Sequence, residues 1–406
     1  MEKLALITLL GFGIFTMSCS GRGARQANKL VIWESYNDEE HKIFMDIVER
    51  FKKENPGTEI EVQRIPFDGM EQKILTGLAA KSVPDIARVD YAFVAKLASK
   101  NAILPIEESE IADIKDHLLK AALYSNYYLG NFYGLPDQST CIALFYNKKI
   151  FSEKGIKEPP KTWEAFIEAG KKITDGEIFA FGMNNSLWWT FPFFFSYGAK
   201  FLSEDGKTCL LNSPEAIEAF TLKVDLYRKY KIEGGAWQAG AINPDAGFRN
   251  GKYAMIFSGP WAIKSLTEAN IPFGVALIPE GPAGSATTVG GTNMVLFHKE
   301  TKDLGLKFLR FILSPEIQAY WANELGQIPI REEAITLVDT TKHPYLMTFI
   351  TQMQYATPRP PHPNYTEIEL TFNSEMEAAL AGQKSPEQAL NDAVKKVNER
   401  VLKEEY

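Results

Sequence analysis

Four segments of the chain bring carboxylate, amide and aromatic side chains together at the ends of predicted strands. Carboxylates and amides can each take a pair of hydroxyl groups, and flat rings cover the apolar C–H faces of a sugar. One neutral hydrogen bond contributes only about 0.5–1.5 kcal/mol, so useful affinity needs several segments at once. The composition therefore predicts a site for a polyhydroxylated ligand. Its candidate residues are Glu34, Tyr36, Asp90, Gln138, Thr140, Asn184, Trp188 and Trp189, together with Asn293 before the predicted strand 294–297.

Trp261 ends the most informative segment of the chain. The apolar run Tyr253–Phe257 predicts a strand, and Ser258-Gly259-Pro260 predicts a turn directly after it. Ligand crevices form at strand ends in open α/β sheets, and a ring fixed on a rigid turn is a platform for a sugar face. The alternative is that Trp261 closes a hydrophobic core, and the segment alone leaves both interpretations open.

Signatures of catalysis are missing from the sequence. It contains no G-x-G-x-x-G, P-loop, G-x-S-x-G or H-E-x-x-H motif, and its five histidines are scattered. The sequence therefore predicts no catalytic residue, no cofactor and no metal site. One enzymatic alternative stays open, because Glu34, Asp90 and Asp137 could supply the carboxylate pair of a secreted glycoside hydrolase.

Composition and charge narrow the class of protein. With 406 residues, 45% of them hydrophobic and 23% charged, the chain is typical of a globular protein of two or three domains. Its formal net charge of −7 argues against a nucleic-acid partner, because phosphate binding needs clustered Lys and Arg. A small anionic ligand such as a phosphorylated solute stays open, since Arg88, Arg249 and Arg359 could converge on it.

The N-terminus predicts export. The apolar run Leu4–Phe15 has 12 residues, and as a helix it would span about 18 Å, less than the roughly 30 Å core of a bilayer. That length is typical of a signal peptide, here residues 1–18. The stretch Met17-Ser18-Cys19 resembles the bacterial lipoprotein cleavage box, which implies lipidation of Cys19 and a lipid-anchored linker over 19–28. The expected location is the periplasm or the outer face of the cell membrane, and ordinary cleavage nearby is the alternative.

Strand-like and helix-like segments alternate from residue 30 onward. Strands are predicted at 30–33, 60–65 and 84–89, with helices at 39–54 and 69–80 between them. This βαβαβ order implies an α/β protein with a mostly parallel sheet covered by helices. Further strands are predicted at 141–146, 253–257, 273–278 and 294–297, and helices after Thr162, Ser213, Ser314 and Ser385, with a proline-rich connector at 357–363.

Cys141 and Cys209 both lie in apolar stretches. We expect them to be small core residues. An oxidising compartment would permit a disulfide, but two cysteines far apart in sequence do not establish one. Two isolated thiols are also too few for a structural zinc site.

Several short segments, taken in order, resemble the carbohydrate-binding extracellular solute-binding proteins of ABC importers. The similarity covers nearly the whole mature chain, and although no single segment is decisive, the ordered set is specific. The segments are Leu30-Val31-Ile32-Trp33, Pro84-Asp85-Ile86, Tyr146-Asn147-Lys148, Pro160-Lys161-Thr162-Trp163-Glu164, Gly259-Pro260-Trp261, Val289-Gly290-Gly291 and Ala389-Leu390.

The resemblance implies a hinged, two-lobed periplasmic-binding-protein-like α/β fold, with the ligand in a cleft between the lobes. It places lobe I at 29–138 plus 293–337 and lobe II at 139–289 plus 342–406. Such a protein is a monomer that traps a sugar without altering it, and its closed form docks on a membrane permease. A ligand can favour closure only by contacting both lobes.

At single positions the resemblance implies stacking roles for Trp261 and Trp188 and a sugar contact for Asp90. It implies a mono- or oligosaccharide ligand, with a maltose- or trehalose-like glucoside as one option. The exact sugar stays open because the chain departs from the family's pattern at three contacts. These are Thr140 and Ser186, where the family has acidic residues, and Glu369, near the position of a further stacking tryptophan.

Overall fold

The computed structural model describes residues 26–203 and 206–403. The predicted signal peptide and the predicted lipidation of Cys19 lie outside the described residues. Within those two ranges, none of the helices combines the length and the apolar character needed to cross a membrane.

The strands form two main sheets and one small hairpin, in which the two-residue strands β4 and β5 pair with each other. Each sheet anchors its own set of helices. In chain order the strands are β1 (Lys29–Glu34), β2 (Glu59–Arg64), β3 (Ile86–Asp90), β4 (Tyr127–Tyr128), β5 (Asn131–Phe132), β6 (Leu135–Cys141), β7 (Ala143–Asn147), β8 (Phe179–Gly182), β9 (Tyr253–Ser258), β10 (Phe273–Ala276), β11 (Thr287–Leu296) and β12 (Ala356–Thr357).

Helices occupy most of the connections between strands, and they dominate the C-terminal third. This distribution agrees with the alternation that the sequence predicts. In chain order the helices are α1 (Asp38–Glu54), α2 (Phe67–Ala79), α3 (Tyr91–Ser99), α4 (Glu108–Ile111), α5 (Lys120–Leu123), α6 (Lys148–Glu153), α7 (Trp163–Ile173), α8 (Leu187–Ser196), α9 (Pro214–Arg228), α10 (Pro244–Arg249), α11 (Ile263–Glu268), α12 (Lys302–Ile312), α13 (Pro315–Leu325), α14 (Glu332–Ile335), α15 (Leu346–Met353), α16 (Tyr365–Leu380) and α17 (Pro386–Lys396).

Five of the six strands of the first sheet have the order β2-β1-β3-β11-β6, and β12 also pairs with β11. Strand β1 is parallel to β2 and β3, and β11 is antiparallel to β3 and β6. Successive side chains of β1 point to opposite faces. Leu30 and Ile32 therefore pack in one core with α1, α12 and α13, while Trp33 packs in a second core with α2 and α3. We call this sheet and its helices the first lobe.

The second sheet has the order β10-β7-β9-β8, in which β7 is antiparallel to β9 and β10, and β8 is parallel to β9. Leu144 and Phe257 face a core formed with α7, α8, α9, α16 and α17. Phe145 and Ile256 face the opposite core, formed with α11 and α15. We call this three-layer unit the second lobe.

Three connections run side by side between the lobes. Strand β6 passes into β7 through Ile142, β10 is followed by β11, and β12 pairs in parallel with the start of β11 before the chain enters α16. The first two are tied together by the Thr287 hydroxyl, which donates to the Ile142 carbonyl at 2.9 Å and accepts its N–H at 3.2 Å. Bending at these connections would move one lobe relative to the other.

Helix starts agree closely with the sequence. The side chains of Thr162, Ser213 and Ser385 cap α7, α9 and α17, and the capping box predicted at Ser385 is present. Helix α1, predicted over 39–54, begins one residue earlier behind a capping box of Asn37 and Glu40. Short polar residues before an apolar periodic run are therefore reliable signals in this chain.

Most predicted strands are present with ends shifted by one or two residues, and two strands differ by more than that. The strand predicted at 294–297 is only the end of β11, which begins at Thr287, because Gly290-Gly291 interrupts the apolar pattern that marks a strand. The strand predicted at 141–146 is divided at Ile142, where the chain leaves one sheet and enters the other. Both differences arise where the chain crosses between lobes.

Cys141 and Cys209 are both buried and both unpaired. The expectation that they are core residues is confirmed. Because burial disfavours the thiolate, it raises the pKa of both thiols, that of Cys209 to about 12. Neither is therefore a reactive thiol in this fold.

Candidate functional site

The register of three neighbouring strands aligns predicted site residues on one face of the first sheet. Asp90 on β3 and Gln138 on β6 both pair with Thr292 of β11, and Thr140 on β6 pairs with Gly290. Directly paired residues point to the same face, as do residues two apart on a strand. Asp90, Gln138 and Thr140 therefore share a face with Thr292, and we call this set the hinge row. Sequence reasoning missed Thr292 because the glycine pair before it conceals the strand.

Three tryptophans of the second lobe meet beside the hinge row. The ring centroids of Trp188 and Trp189 lie 4.8 Å apart at 82°, and the Trp261 ring lies 6.2 Å from each. All three side chains are half-buried. A Cβ at Gly290 would lie 2.8 Å from the Trp188 ring and 3.2 Å from the Thr140 methyl group. The ring of Trp188 therefore rests on the bare backbone of β11.

Trp261 is held by the turn that follows β9. It lies in a single 3-10 turn, Pro260–Ala262, and a Cβ on Gly259 would come within 2.0 Å of its ring. Only glycine lets the ring fold back over the turn. The end of β9 is fixed by the Ser258 hydroxyl, which donates to Asp245 at 3.0 Å. The ring is half-buried against two other indoles, which fits a platform better than a sealed core.

Helix α8 presents Trp188 from its first turn, and side chains of α16 satisfy that turn's backbone donors. The Leu187 N–H donates to Asn373 Oδ1 at 2.7 Å, and the Trp188 N–H donates to Glu369 Oε1 at 3.3 Å. A carboxylate at a helix N-terminus also interacts favourably with the helix dipole. Burial raises the pKa of Glu369. Glu369 therefore holds the backbone at Trp188, for which the resemblance implies a stacking role.

Glu34, Tyr36 and Gln138 lie together in a buried network around Arg88. The Tyr36 hydroxyl and Arg88 Nε both donate to Asp137 Oδ2, at 2.7 and 2.8 Å, and Arg88 also donates to Gln138. The Glu34 carboxylate accepts the Tyr36 N–H at 2.6 Å. Although burial acts to lower the pKa of Arg88, the Asp137 carboxylate raises it overall. The charge of the Arg88 guanidinium is thus compensated by the Asp137 carboxylate inside the first lobe.

Asp90 pairs with Arg359, which follows β12 between the lobes. Arg359 Nη2 lies 2.9 Å from Asp90 Oδ1, and the arginine side chain is only 7% exposed. Asp90 also accepts the N–H of Ala92 at 2.8 Å, which caps α3. Arg249, in contrast, is exposed at the end of α10. The three arginines that could have converged on an anion are therefore paired internally or point to solvent.

Eight buried side-chain polar atoms have no hydrogen-bond partner among the described residues, and three of them lie in or beside the hinge row. These three are the hydroxyls of Thr140 and Thr292 and the indole N–H of Trp188. Buried polar groups in folded proteins are normally satisfied, and leaving one unpaired costs about 1–3 kcal/mol. A bound molecule with several hydroxyl groups could satisfy these atoms.

A sequence profile for bacterial extracellular solute-binding proteins matches residues 37–319. The chain belongs to this family. Membership indicates an exported protein, and its relatives are binding proteins. A maltotriose-binding protein of Pyrococcus abyssi is 27% identical over 390 residues, covering 93% of this chain and 82% of that protein. The sn-glycerol-3-phosphate-binding periplasmic protein of Escherichia coli is 26% identical over 421 residues, covering 93% of each.

Solved structures place this solute-binding protein in the same fold. An ABC transporter solute-binding protein of Thermotoga lettingae, bound with α-D-tagatose, has a TM-score of 0.84 and 26% identity, covering 91% of this chain and 99% of that one. The two-lobed α/β fold and the family implied by the short segments of the sequence are both confirmed.

The two remaining predicted residues lie apart from the hinge row. Asn293 follows Thr292 on β11 and points to the other face, where it is fully buried and accepts a hydrogen bond from Asn126 at 2.7 Å. Asn184 is half-buried, four residues before Trp188. The structure therefore does not bring Asn293 into contact with the tryptophans, and it leaves Asn184 at the edge of their segment.

A cavity of about 700 Å³ lies on the opposite face of β11. Val289 lines it together with Tyr91 from the first lobe and Phe195 from the second. Val289 and Gly290 are adjacent on one strand and point to opposite faces, so this cavity is distinct from the surface at the tryptophans. None of the ten predicted site residues, all of which the structure describes, lines it.

Proposed function

We propose that this solute-binding protein binds a neutral mono- or oligosaccharide in the cleft between its lobes and delivers it, unaltered, to the permease of an ABC importer. One observation carries the proposal. Trp188, Trp189 and Trp261 meet beside buried hydroxyl groups that lack a partner among the described residues. Indole rings cover the C–H face of a sugar, while Thr140 and Thr292 bond its hydroxyl groups.

We infer that the ligand carries no net charge because Arg88 and Arg359 are already paired with carboxylates. Arg88 is bound to Asp137 and Arg359 to Asp90, so a phosphate would have to displace a carboxylate from a buried guanidinium. A neutral ligand leaves both pairs intact. The maltotriose of the Pyrococcus relative fits this condition, and the sn-glycerol 3-phosphate of the Escherichia relative does not.

We assign the lobes to residues 29–138 plus 293–337 and 139–289 plus 342–406. The separate hydrophobic cores around the two sheets support this division. Asp90, a member of the hinge row, belongs to the first lobe, and the three tryptophans belong to the second. A ligand that contacts both sides favours the closed state, because it gains contacts there that the open state lacks.

We also infer that Cys19 is lipidated and that residues 19–28 tether a monomer to the outer face of the cell membrane. The small residue and cysteine directly after the apolar run support this inference. Two or more acyl chains give stable anchoring, whereas one is marginal.

The geometry disfavours a glycoside hydrolase. A catalytic pair needs two carboxyl groups on either side of the scissile bond, about 5–10 Å apart, with one of them kept protonated. Glu34 and Asp137 are instead buried among fixed hydrogen-bond donors of the first lobe, and Asp90 is paired with Arg359. These carboxylates act as structural acceptors.

Thermal unfolding of the mature protein with a panel of ligands tests the proposal. The panel contains maltose, maltotriose, trehalose and tagatose, with sn-glycerol 3-phosphate as the anionic control. A ligand that binds only the folded state raises Tm by mass action, so we expect a rise with at least one neutral sugar and none with the phosphate. Stabilisation by the phosphate alone would overturn the proposal. New reducing ends that disappear in Asp90→Asn would establish the hydrolase instead.

A further inference from the structure

Lys223 is completely buried behind the segment that carries two of the tryptophans. It lies on α9 with 0% of its surface exposed. Its Nζ donates to Thr190 Oγ1 at 2.6 Å and to Asn185 Oδ1 at 3.3 Å. These two acceptors stand on either side of Trp188 and Trp189 in sequence. The Lys223 side chain therefore hydrogen-bonds to both ends of the segment 185–190.

A second buried ionisable side chain, Glu233, bonds to the backbone two residues before this segment. Glu233 is 1% exposed and accepts the Met183 N–H at 3.2 Å, as well as the N–H groups of Gly235 and Ala236 at 2.7 and 3.1 Å. It is the ionisable group that acts electrostatically on Lys223. Burial lowers the pKa of Lys223 and raises that of Glu233. The loop between β8 and α8 is thus held from two sides.

The burial of Lys223 is costly for the fold. Removing an ammonium group from water carries a desolvation penalty that hydrogen bonds to neutral oxygens offset only partly. The surrounding residues of α9, such as Phe220 and Val224, pack in an apolar core where leucine or methionine would be accommodated at lower cost. A polar group retained at such a position can instead fix one conformation among several.

We propose that Lys223 is a positioning residue for the ligand site, which fixes the orientation of Trp188 and Trp189 through its bonds to Asn185 and Thr190. The inference rests on the proposed function only for its effect on binding. Its effect on the two indoles does not require any ligand. The Thr190 hydroxyl transmits the constraint into the helix, because it also donates to the Ser186 carbonyl at 2.8 Å.

Fluorine NMR of protein labelled with 5-fluorotryptophan tests the effect on the indoles directly. We expect one line from each of the seven tryptophans, and Trp188→Phe and Trp189→Phe identify the two lines that matter. In Lys223→Met we expect these two lines to shift or broaden while that of Trp33 stays in place. Lys229→Met, at the exposed end of α9, is the matched control and should leave all lines unchanged.

Calorimetric titration with the sugar that stabilises the wild type tests the effect of Lys223 on ligand affinity. We expect Lys223→Met to weaken affinity about tenfold without a lower Tm, because methionine removes the buried charge but keeps the volume. Thr190→Ser, which keeps the hydroxyl, should bind as the wild type does, and Thr190→Val should weaken binding.

If Lys223→Met misfolds, the comparison of the two Thr190 variants tests the inference in its place. Unchanged Trp188 and Trp189 lines in Lys223→Met, or equal affinity of the Thr190 pair, would overturn the inference. Failure of every sugar to bind would refute the proposed function alone, since the NMR arm needs no ligand.

Discussion

The indole rings of Trp188 and Trp261 lie 6.2 Å apart and are tilted by 39°, although 72 residues separate them in the chain. Their proximity has a simple cause in the second sheet. Strands β8 and β9 pair in parallel, so the segments that follow them leave from the same end of the sheet. One segment leads into the first turn of α8, and the other is the turn that carries Trp261. The sheet thus assembles a single aromatic surface from two distant stretches.

Loss of the Trp261 ring should weaken binding without much effect on folding. We expect Trp261→Ala to reduce the free energy of sugar binding by about 2 kcal/mol or more, as for a buried aromatic anchor. The side chain is half-buried, so the cost to folding is smaller than for a core tryptophan. Calorimetry and thermal unfolding measure the two effects. Trp237→Ala is the matched control, because that ring is also half-buried but makes an edge-to-face contact with Tyr227 instead. Equal affinities of Trp261→Ala and the wild type would contradict the assignment.

Gly290 tests whether Trp188 must rest on bare backbone. A methyl group at this position would lie 2.8 Å from the Trp188 ring, so the indole has to move. We expect Gly290→Ala to weaken sugar binding about tenfold and to lower the free energy of unfolding by about 1–3 kcal/mol, the usual cost of overpacking. Gly69→Ala on α2 is the control, because nothing lies within 4 Å of the new methyl group. The measurements are calorimetric titration and urea unfolding. A Gly290→Ala protein that binds as well as the wild type would show that Trp188 does not contribute from this position.

Local signals in the sequence were sufficient for most of the fold. Capping residues at Thr162, Ser213 and Ser385 and the apolar periodicity of α1 act over a few residues, so a single sequence displays them. The turn that presents Trp261 is equally local, since its Gly-Pro pair fixes the backbone. The family and the two-lobed fold followed from the order of such segments.

The rest of the site depends on pairing between distant strands. Thr292 joins Asp90 and Gln138 only through the register of β11 with β3 and β6, and no local pattern encodes that register. The assignments of Lys223 and Glu369 depend on helix packing. No local pattern distinguishes Lys223 from a surface charge, because a lysine on a helix is usually exposed. The resemblance singles out Glu369 only as a departure from the family's pattern, and it does not predict the bond from the Trp188 N–H to Glu369.

Removal of the carboxylate at Asp90 should change the charge preference of the protein. In Asp90→Asn the Arg359 side chain, only 7% exposed, loses its ionic partner. We expect the free energy of unfolding to fall by about 1–3 kcal/mol, less than for a fully buried pair because Asp90 is 31% exposed.

We also expect sulfate or sn-glycerol 3-phosphate to raise the Tm of Asp90→Asn but not that of the wild type. Asp113→Asn is the control, since its pair with Arg310 lies at the surface. An identical anion response of Asp90→Asn and the wild type would refute the idea that Asp90 excludes anions.

Lys223 should give the fold a pH dependence above neutrality. Burial lowers the pKa of Lys223 to about 7 in the folded protein, whereas in the unfolded chain it is about 10.4. Between these values the unfolded chain binds a proton that the folded chain does not, so the free energy of unfolding increases with pH. Glu233 acts in the opposite direction, but only below about pH 7, because burial raises its pKa to about 7.

We therefore expect the urea midpoint of the wild type to rise between pH 7 and about 9.5. This rise should be much smaller in Lys223→Met. Lys229→Met, whose side chain is 63% exposed, should keep the rise of the wild type. The same slope in Lys223→Met as in the wild type would mean that another group titrates in this range.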